Sequence, residues 1–400
     1  MNSRDLVLKA LAHEETPRVP IGYNLKADHE LQLKAMHGWD PSEIKRHFKI
    51  DLHTVYMSPT KKFQEKSVKA TVSTSFADSF LADGKNGLYY DEWGVGYSLQ
   101  KYKYRFVGAG GKVSLETSDI PKMVDHPVKE ITLDALESYL ERGFPDIDDD
   151  TRYDQMRKEI KLYKDDYAIE ADMEMTLFEK SWYVCGLPNF LAALGRAFRK
   201  PSSDENKFVN KILDAMIDFR LKQIEKYLEI GGIDIIRFGD DVGMQDGLMF
   251  SKAIWRQFFK PRMKRLIDAC KEEVHVYNHC DGDCTELIPD FIENGVEILN
   301  PLQPECMDTE RIKREYGDKV TLYGTIGIQK PSFIGDRYPD VPKAEIDRLS
   351  SLFSEEVRTR KKTLGKGGGL ILAPTNKLQP DTFIESIIAL YKEMGRESSR

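Results

Sequence analysis

The sequence lacks any long hydrophobic run. No stretch of about 18 consecutive apolar residues occurs, so the sequence predicts no membrane-spanning helix. The N-terminal stretch MNSRDLVLKALAHEE is charged and amphipathic, and it has no apolar segment of the kind that a secretory signal carries. These two absences lead us to expect a cytoplasmic protein that does not associate with a membrane.

Cysteine is scarce, and positive charge is not in excess. Five cysteines occur among 400 residues without paired spacing, which is typical of a reducing compartment and not of a disulfide framework. Lys and Arg total 59 against 66 for Asp and Glu, which gives a formal net charge of −7. A chain of this charge is not expected to bind nucleic acid, which usually requires a basic face.

The sequence does contain an alternation of β-rich and helical segments. Eight short β-rich runs are VPIGY (19–23), LHTVYM (52–57), YAIEADM (167–173), IDIIRF (233–238), VHVYNH (274–279), VEILNP (296–301), VTLYG (320–324) and GLILAP (369–374). Helical spacing of apolar residues separates the later runs, most clearly over 207–230. Because buried parallel strands are nearly continuous apolar runs, this order predicts an α/β fold of the (β/α)8 TIM-barrel type. A doubly wound open sheet is the alternative that periodicity leaves open.

One segment interrupts the alternation. Residues 58–163 contain the aromatic, hairpin-like sequence GLYYDEWGVGYSLQKYKYRFV, followed by charged stretches. We predict a single barrel domain over residues 1–400, with 58–163 as an insertion after the second strand that covers one end of the barrel. The aromatic side chains of the insertion would form a ring-binding pocket, a surface for a partner, or the hydrophobic core of the insertion itself.

The strand ends matter most for function, because active sites of TIM barrels lie at the carboxyl ends of the strands. Side chains alternate along the fifth run, so Tyr277, His279 and Asp281 are expected to share one face. An imidazole beside a carboxylate suits a general acid or base, or a pair of metal ligands. We therefore predict that His279 and Asp281 are catalytic residues and that both are ligands of any bound metal.

Other strand ends supply further candidates. The fourth run is followed by Asp240 and Asp241, and two adjacent carboxylates are costly unless they are solvated or paired. We expect one to fix a loop or helix and the other to face the site, and we assign Asp241 a catalytic role. The predicted substrate-binding residues are Asp240, Tyr277, Gln303 and Asn376. Additional metal ligands are sought on the third strand, which carries Glu170 and Asp172, and on the fourth, in Asp240 or Asp241.

The cysteines at 280 and 284 raise the alternative of a zinc–thiolate site. Alternation along the strand puts Cys280 on the face opposite His279. The spacing to Cys284 also differs from that of closed structural zinc sites. Free cysteines that only pack are commoner, so the sequence does not predict thiolate ligands.

Several blocks, taken in order, resemble a known family. They are SRDLVLKALAHEETPRVPIG, YDEWGVGY, FGDDVGMQDGLMFSKAIWRQFFKP, VYNHCDGD, LIPDFIENGVEILNPLQPE, YGDKVTLYGTIGIQ and GGGLILAPTNKLQPDTFIESI. Their order and spacing over most of the chain resemble the uroporphyrinogen decarboxylase-like barrels, a superfamily that includes cobamide-dependent methyltransferases. The resemblance implies the same TIM-barrel fold that the periodicity predicts.

Departures from the family patterns suggest a branch. Uroporphyrinogen decarboxylases resemble one another in an Arg-rich segment of the type MRQAGR, where this chain has IGYNLKADHE. The thiol-methylating branch binds zinc through a His-x-Cys pair and a distant Cys, whereas this chain has Asp281 at the first Cys position and no Cys near Thr375 and Asn376. The motif HCDGD at 279–283, together with DDVGMQ at 240–245, resembles the branch that takes methyl groups from methoxylated compounds.

The resemblance implies a corrinoid-dependent methyltransferase of the O-demethylase type. Its partners would be a small-molecule methyl donor and a corrinoid (cobalamin) protein. The resemblance leaves open whether zinc is bound and whether the protein forms a homodimer. A decarboxylase of a smaller carboxylated substrate and a corrinoid-binding scaffold are the alternatives. A scaffold has no need to gather a histidine and several carboxylates at one opening, which argues against it.

Overall fold

The structure, a computed structural model, describes residues 1–67, 81–83, 87–270, 272–329 and 341–397, and of residues 81–83 it describes the backbone only. Its α-helices are α1 (Ser3–Leu11), α2 (Ala27–His37), α3 (Pro41–His47), α4 (Lys61–Lys66), α5 (Leu133–Arg142), α6 (Asp154–Tyr163), α7 (Phe178–Cys185), α8 (Leu187–Arg199), α9 (Asp204–Ile230), α10 (Lys252–Phe258), α11 (Lys260–Cys270), α12 (Ile288–Asn294), α13 (Thr309–Tyr316), α14 (Lys343–Leu364) and α15 (Ile384–Met394). Within these described ranges, no helix is long and apolar enough to span a membrane.

Seven parallel strands form the main sheet. They are β1 (Leu52–Tyr56), β6 (Ala168–Met175), β7 (Ile235–Gly239), β10 (His275–His279), β11 (Ile298–Asn300), β12 (Thr321–Tyr323) and β13 (Leu370–Ile371), in that spatial order. The remaining strands are β2 (Leu81–Asp83), β3 (Leu88–Tyr90), β4 (Gly96–Val107), β5 (Val113–Asp125), β8 (Gly243–Met244) and β9 (Gly247–Leu248). Seven of the eight predicted runs are therefore confirmed as neighbouring parallel strands.

The first predicted run, 19–23, closes the sheet without forming a regular strand. Ile21 makes an isolated parallel bridge to Leu372. The Gly22 N–H donates to the Leu372 carbonyl at 2.8 Å, and the Asp51 N–H donates to the Ile21 carbonyl at 2.9 Å on the other side. Ile21 thus joins the two edges of the seven-stranded sheet, which makes the fold a closed (β/α)8 barrel and excludes the doubly wound alternative. The prediction of a full strand over 19–23 was wrong, because only one residue is paired on each side.

Helix α1 determines which end of the barrel is open. Val7, Ala10 and Leu11 of this helix are buried in one cluster with apolar side chains from inside the barrel. Those inward-facing residues are Leu52, Ala168, Ile235, Tyr277, Ile298, Tyr323, Ile371 and Ala373. Burial of this apolar surface fixes the helix against the amino-terminal ends of the strands. The opening at the carboxyl ends, hereafter the mouth, is where the polar strand-end residues lie.

The sequence explains the longest outer helix well. Ser203 caps α9 by accepting a hydrogen bond from the Asn206 N–H, and Gly231 ends the helix with a φ of 70°. Its buried residues recur at helical spacing, and they include Ile212, Met216 and Ile224. These residues pack in the main hydrophobic core with side chains of the sheet's outer face. The helix predicted over 207–230 is confirmed.

The segment between β1 and β6 contains a separate small sheet. Strands β2, β3, β4 and β5 pair antiparallel in that order. Arg105 of β4 pairs with Glu385 at 3.0 Å, and Trp93 packs edge-on against Phe219 of α9 at 5.0 Å between ring centroids. This sheet lies inside the predicted insertion 58–163, of which residues 68–80 and 84–86 are outside the described residues. That the insertion covers one end of the barrel stays a prediction.

Candidate active site at the mouth of the barrel

Three polar groups from two adjacent strand ends meet at the mouth. His279 Nε2 lies 3.8 Å from Asp241 Oδ1 and 3.8 Å from Asp281 Oδ1. One ligand atom from each of the three residues lies within 4.8 Å of the other two. The side chain of His279 is 12% exposed and those of the two aspartates about 30%, so each can be reached from the mouth. We call these residues the Asp–His–Asp cluster.

The backbone brings the cluster together. The β7–β10 register pairs His279 with Gly239, so these two strands end at the same level along the barrel axis. The Asp281 N–H then donates to Asp241 Oδ1 at 2.7 Å. At Gly282 the φ is 82°, and a Cβ would lie 2.5 Å from the carbonyl carbon of Gly243. Only glycine permits this close approach.

Asn300 determines which nitrogen of His279 faces the cluster. The Asn300 Nδ2 donates to the Tyr323 carbonyl at 3.0 Å, so its Oδ1 is the atom turned toward His279. His279 Nδ1 lies 2.5 Å from that oxygen and must donate to it. Nδ1 therefore carries the hydrogen of a neutral imidazole, and the lone pair of Nε2 is directed toward the two aspartates.

Asp281 is held by groups from two further strand ends. Its Oδ2 accepts a hydrogen bond from Asn376 Nδ2, and the following Gly282 N–H donates to Gln303 Oε1 at 3.1 Å. Burial is the main reason that the pKa of Asp281 is raised above its usual value, and the Asp241 carboxylate raises it further. Asn376 and Gln303, both predicted to bind substrate, thus border the cluster, and their contact with a substrate stays a prediction.

Asp240 does not face the mouth. Its carboxylate accepts hydrogen bonds at 3.0 Å from the Leu177 N–H and the Glu179 N–H, at the start of α7. The predicted substrate-binding role is corrected on this evidence, because the carboxylate is already bound to the free N–H groups of a helix terminus. Burial raises the pKa of Asp240 to about 7.

We expect Asp240→Ala to lower the free energy of unfolding by about 1–2 kcal/mol, because it leaves two N–H groups of α7 without an acceptor. Urea unfolding followed by circular dichroism measures this loss. Asp246→Ala is the matched control, since Asp246 is exposed in the same loop region. Equal stability of the two variants would contradict the capping role.

A layer of charged and aromatic groups lies beneath the cluster. Asp172 forms an ion pair with Arg237, and the Arg237 guanidinium lies 5.5 Å from the centre of the Tyr277 ring. Tyr277 is 3% exposed and packs against Tyr323 at 5.2 Å between ring centroids. The predicted substrate-binding role of Tyr277 is corrected, because this side chain belongs to the barrel interior and is covered.

Glu170 lies in the same layer and lacks a full set of partners. Its Oε2 is buried with no hydrogen-bond partner among the described residues, while its Oε1 lies 3.5 Å from Thr54 Oγ1. Burial raises its pKa to about 7. Neither Glu170 nor Asp172 joins the group of candidate ligands found in the described residues, so their predicted role as further ligands of the same ion is corrected.

We expect Glu170→Gln to raise the free energy of unfolding at pH 8 by about 1–3 kcal/mol and to have little effect at pH 5. The folded-state pKa of Glu170 lies above the unfolded value, so the wild-type carboxyl destabilises the fold as the pH rises toward and past 7. Glutamine has no charge to bury. Thermal unfolding of both proteins at the two pH values tests this, and an equal shift at both would contradict it.

Some residues of the site were missed by sequence reasoning. Arg237 could have been found, since an arginine within the apolar run IDIIRF requires a buried partner. Glu179 of α7 gave no such signal, although its Oε2 accepts from the Asp241 N–H at 3.0 Å. Burial, with Asp241 and Asp240 nearby, raises the pKa of Glu179 well above its usual value.

The Asp–His–Asp cluster fits a divalent metal ion. It offers an imidazole nitrogen whose lone pair faces two carboxylates, and nitrogen with oxygen ligands suits zinc and other first-row divalent ions. The hydrogen bond that His279 donates to Asn300 and the one that Asn376 donates to Asp281 are of the kind that orient metal ligands. No cysteine belongs to the group of possible ligands found among the described residues. Cys280 is 1% exposed, and its Sγ contacts the Asp281 carbonyl at 3.6 Å.

Comparison with known proteins bears on the family and the fold of the chain. The family model described as uroporphyrinogen decarboxylase (URO-D) matches residues 187–395. A methyltransferase from Methanosarcina mazei is similar in structure, with a TM-score of 0.58, 16% sequence identity and 98% of each chain covered. A glycosylated endo-β-1,4-xylanase from Gloeophyllum trabeum is less similar, with a TM-score of 0.37, 11% identity, and 66% of this chain and 86% of that chain covered. No curated protein sequence matches.

Proposed function

Because the chain belongs to the uroporphyrinogen decarboxylase family, we propose that it is a methyltransferase of that family. Its proposed reaction transfers a methyl group from a methoxylated small molecule to the cobalt of a corrinoid carried by a partner protein. The similarity to the Methanosarcina mazei methyltransferase establishes the fold alone at 16% identity. The argument for the reaction therefore comes from the residues at the mouth.

The observation that carries the proposal is the Asp–His–Asp cluster with its two supporting asparagines. A decarboxylase acting on a porphyrinogen with many carboxylates needs many cations, whereas the cluster at the mouth here consists of two carboxylates and a histidine. An ether oxygen develops negative charge as its methyl group leaves, so a cluster of this composition would assist the reaction by holding a cation next to that oxygen. A divalent ion held there would act as a Lewis acid on that oxygen.

The residues of the chain have separable tasks in this reaction. The methyl–oxygen bond breaks, the oxygen keeps the electron pair, and the methyl carbon bonds to the strongly nucleophilic cobalt of the acceptor. Because the acceptor supplies the nucleophile, the enzyme has only to align the donor and assist the leaving oxygen. In this proposal the ether oxygen is bound next to His279 and Asp281. Asn300 and Asn376 act as positioning residues, through their hydrogen bonds to His279 and Asp281.

The walls of the mouth suit a flat donor. Tyr56, at the end of β1, is 36% exposed. Burial raises the pKa of its hydroxyl above the usual range, and the Asp172 carboxylate raises it further. Its ring is accessible at the strand end and can contact a donor bound in the mouth. Aromatic rings on such walls commonly contact the apolar part of a ligand.

The proposal is tested with the full chain, free cob(I)alamin as the acceptor, and a panel of methoxylated aromatic donors. Transfer converts cob(I)alamin to methylcobalamin, and the absorbance spectrum follows this directly. Reactions without enzyme give the background rate. Absence of enzyme-dependent methylcobalamin with every donor, in protein loaded with zinc and in metal-free protein, would refute the proposal.

A decarboxylase of a small carboxylated substrate is the second candidate function. The observation in its favour is Arg237, a cation in the layer beneath the cluster whose side chain is 24% exposed, since guanidinium groups bind carboxylates. The two functions differ in their products. Carbon dioxide released from methoxybenzoates without methylcobalamin would favour the decarboxylase over the methyltransferase.

A further inference from the structure

Three polar side chains form a hydrogen-bonded chain on the outer side of the barrel. Lys45 Nζ, on α3, is hydrogen-bonded to His53 Nδ1, on β1. His53 Nε2 in turn lies 3.0 Å from Glu159 Oε2, on α6. The residue before His53, Leu52, faces the barrel interior, so alternation along β1 turns His53 outward, toward these two helices. We call the three residues the outer triad, and the proposed function does not use it.

The hydrogen bonds of the outer triad run in one direction. The Lys45 ammonium has only donors, so His53 Nδ1 accepts and the ring hydrogen is on Nε2. That N–H donates to Glu159 Oε2, and the other oxygen of the carboxylate accepts from Gln155 Nε2 at 2.7 Å. An amine next to an imidazole that a carboxylate orients is the arrangement of a nucleophile with its general base.

The surroundings of Lys45 favour its neutral, nucleophilic form. Burial lowers the pKa of Lys45 to about 8, although the Glu159 and Glu30 carboxylates oppose this shift. The centre of the Tyr163 ring lies 5.5 Å from Lys45 Nζ and 4.0 Å from the centre of the His53 ring. Burial also lowers the pKa of His53, which keeps the imidazole neutral and able to accept a proton at pH 7. Lys45 is only half-buried, so a small reagent can reach it from the solvent.

We propose that the outer triad makes Lys45 an acylation site, whose substrate is a small activated acyl donor such as an acyl phosphate. The neutral amine of Lys45 attacks the carbonyl carbon of the donor, and a carbon–nitrogen bond forms. The carbon–oxygen bond to the phosphate breaks, and the phosphate leaves with the electron pair. The proton that the nitrogen loses passes to His53 Nδ1, where the Glu159 carboxylate stabilises the imidazolium, and then to the solvent. Because the amide product is stable, each chain is modified once.

The test is acetylation of the full chain by acetyl phosphate at pH 7.5, with the modification of each lysine followed in time by peptide mass spectrometry. Lys319, exposed just before β12, is the comparison within the same molecule. About a quarter of Lys45 is neutral at this pH, against about one in a thousand of an ordinary lysine. A less basic amine is a weaker nucleophile, so we expect Lys45 to react about 10- to 100-fold faster than Lys319. Equal rates at the two lysines would overturn the proposal.

Two substitutions test the partners of Lys45, and they are compared with wild type at pH 9.5, where the amine is neutral in every protein. His53→Gln removes the base and is expected to slow the acetylation of Lys45 by at least about 10-fold, with the rate at Lys319 unchanged. Glu159→Gln keeps an oxygen that accepts from His53 Nε2 and removes only the charge, so a smaller decrease of about 3-fold is expected.

His275→Gln is the matched control, because His275 begins β10 and pairs with a glutamate, Glu297, at 3.0 Å. It should acetylate at Lys45 as fast as wild type, and thermal unfolding shows whether each variant is folded. The proposal is overturned if folded His53→Gln reacts at Lys45 as fast as wild type. If His53→Gln does not fold, the same result with Glu159→Gln overturns it.

The pH dependence separates a nucleophile from a lysine that only pairs with its neighbours. The rate at Lys45 should rise up to about pH 8 and then level off, because its amine is then neutral. The rate at Lys319 should continue to rise to pH 10, as expected of an ordinary lysine. Parallel profiles at the two lysines would contradict the proposal. The measurement needs neither a methyl donor nor a corrinoid, so its outcome does not depend on the proposed methyl transfer.

Discussion

Replacing His279 with alanine is expected to lower the rate of methyl transfer by about 10²- to 10⁴-fold, the range observed when a catalytic acid, base or ligand is lost. The imidazole is the centre of the Asp–His–Asp cluster, at 3.8 Å from both carboxylates. Its removal leaves two aspartates facing each other without the group that lies between them. The measurement is the initial rate of methylcobalamin formation, together with the metal content by mass spectrometry.

The fold should survive this change. His279 lies at the mouth and contributes to neither of the hydrophobic clusters that fill the barrel. His275→Ala is the matched control, since His275 begins the same strand and pairs with Glu297 at 3.0 Å, at the closed end. That variant should retain its methyl-transfer rate within a few fold. If both variants lose activity equally, or if His279→Ala unfolds, the assignment of His279 as a catalytic residue fails.

Asp281→Asn is expected to lower the same rate by about 10²- to 10³-fold. The substitution keeps the size of the side chain and leaves an oxygen that can still accept from Asn376. It removes the negative charge 3.8 Å from His279 Nε2. We expect the proposed divalent ion to be lost or to exchange more readily, because an amide oxygen is a weaker ligand than a carboxylate. Metal content before and after dialysis against a chelator measures this directly.

Asp283→Asn provides the comparison two residues away. The Asp283 carboxylate accepts from the Thr285 N–H at 3.0 Å and serves the local turn, a bond that the asparagine oxygen can also accept. Its activity should stay within a few fold of wild type. Full activity and full metal content in Asp281→Asn would mean that the cluster does not depend on this carboxylate, and the site would have to be assigned elsewhere.

Sequence reasoning located the candidate site because strand ends are local features. Alternation along β10 was enough to predict that His279 and Asp281 project together, and the pair lies at 3.8 Å. Alternation could not decide which of the two carboxylates, Asp240 or Asp241, faces the mouth. Which of two adjacent carboxylates turns outward depends on the start of α7, some 60 residues earlier in the chain, whose N–H groups bind Asp240.

The depth of Tyr277 along the barrel axis could not be predicted from the sequence either. It shares the inward face with His279, as alternation predicts, but it lies one layer deeper and is covered by Arg237 and Tyr323. Depth within a barrel depends on how far α1 enters from the closed end and where each strand stops. The alternation of residues along a strand predicts the direction in which a side chain points and not its depth along the barrel axis.

Local patterns in the chain were sufficient for the α/β class, for seven of the eight barrel strands and for the face that carries the histidine and the acid. These properties follow from apolar periodicity and alternation, which act between residues near each other in sequence. Closure by Ile21, the tautomer of His279 set by Asn300, and the ion pair between Arg237 and Asp172 were decided only by the tertiary structure. Each depends on groups brought together from distant parts of the chain, and the forces between such groups leave no regular spacing in the sequence.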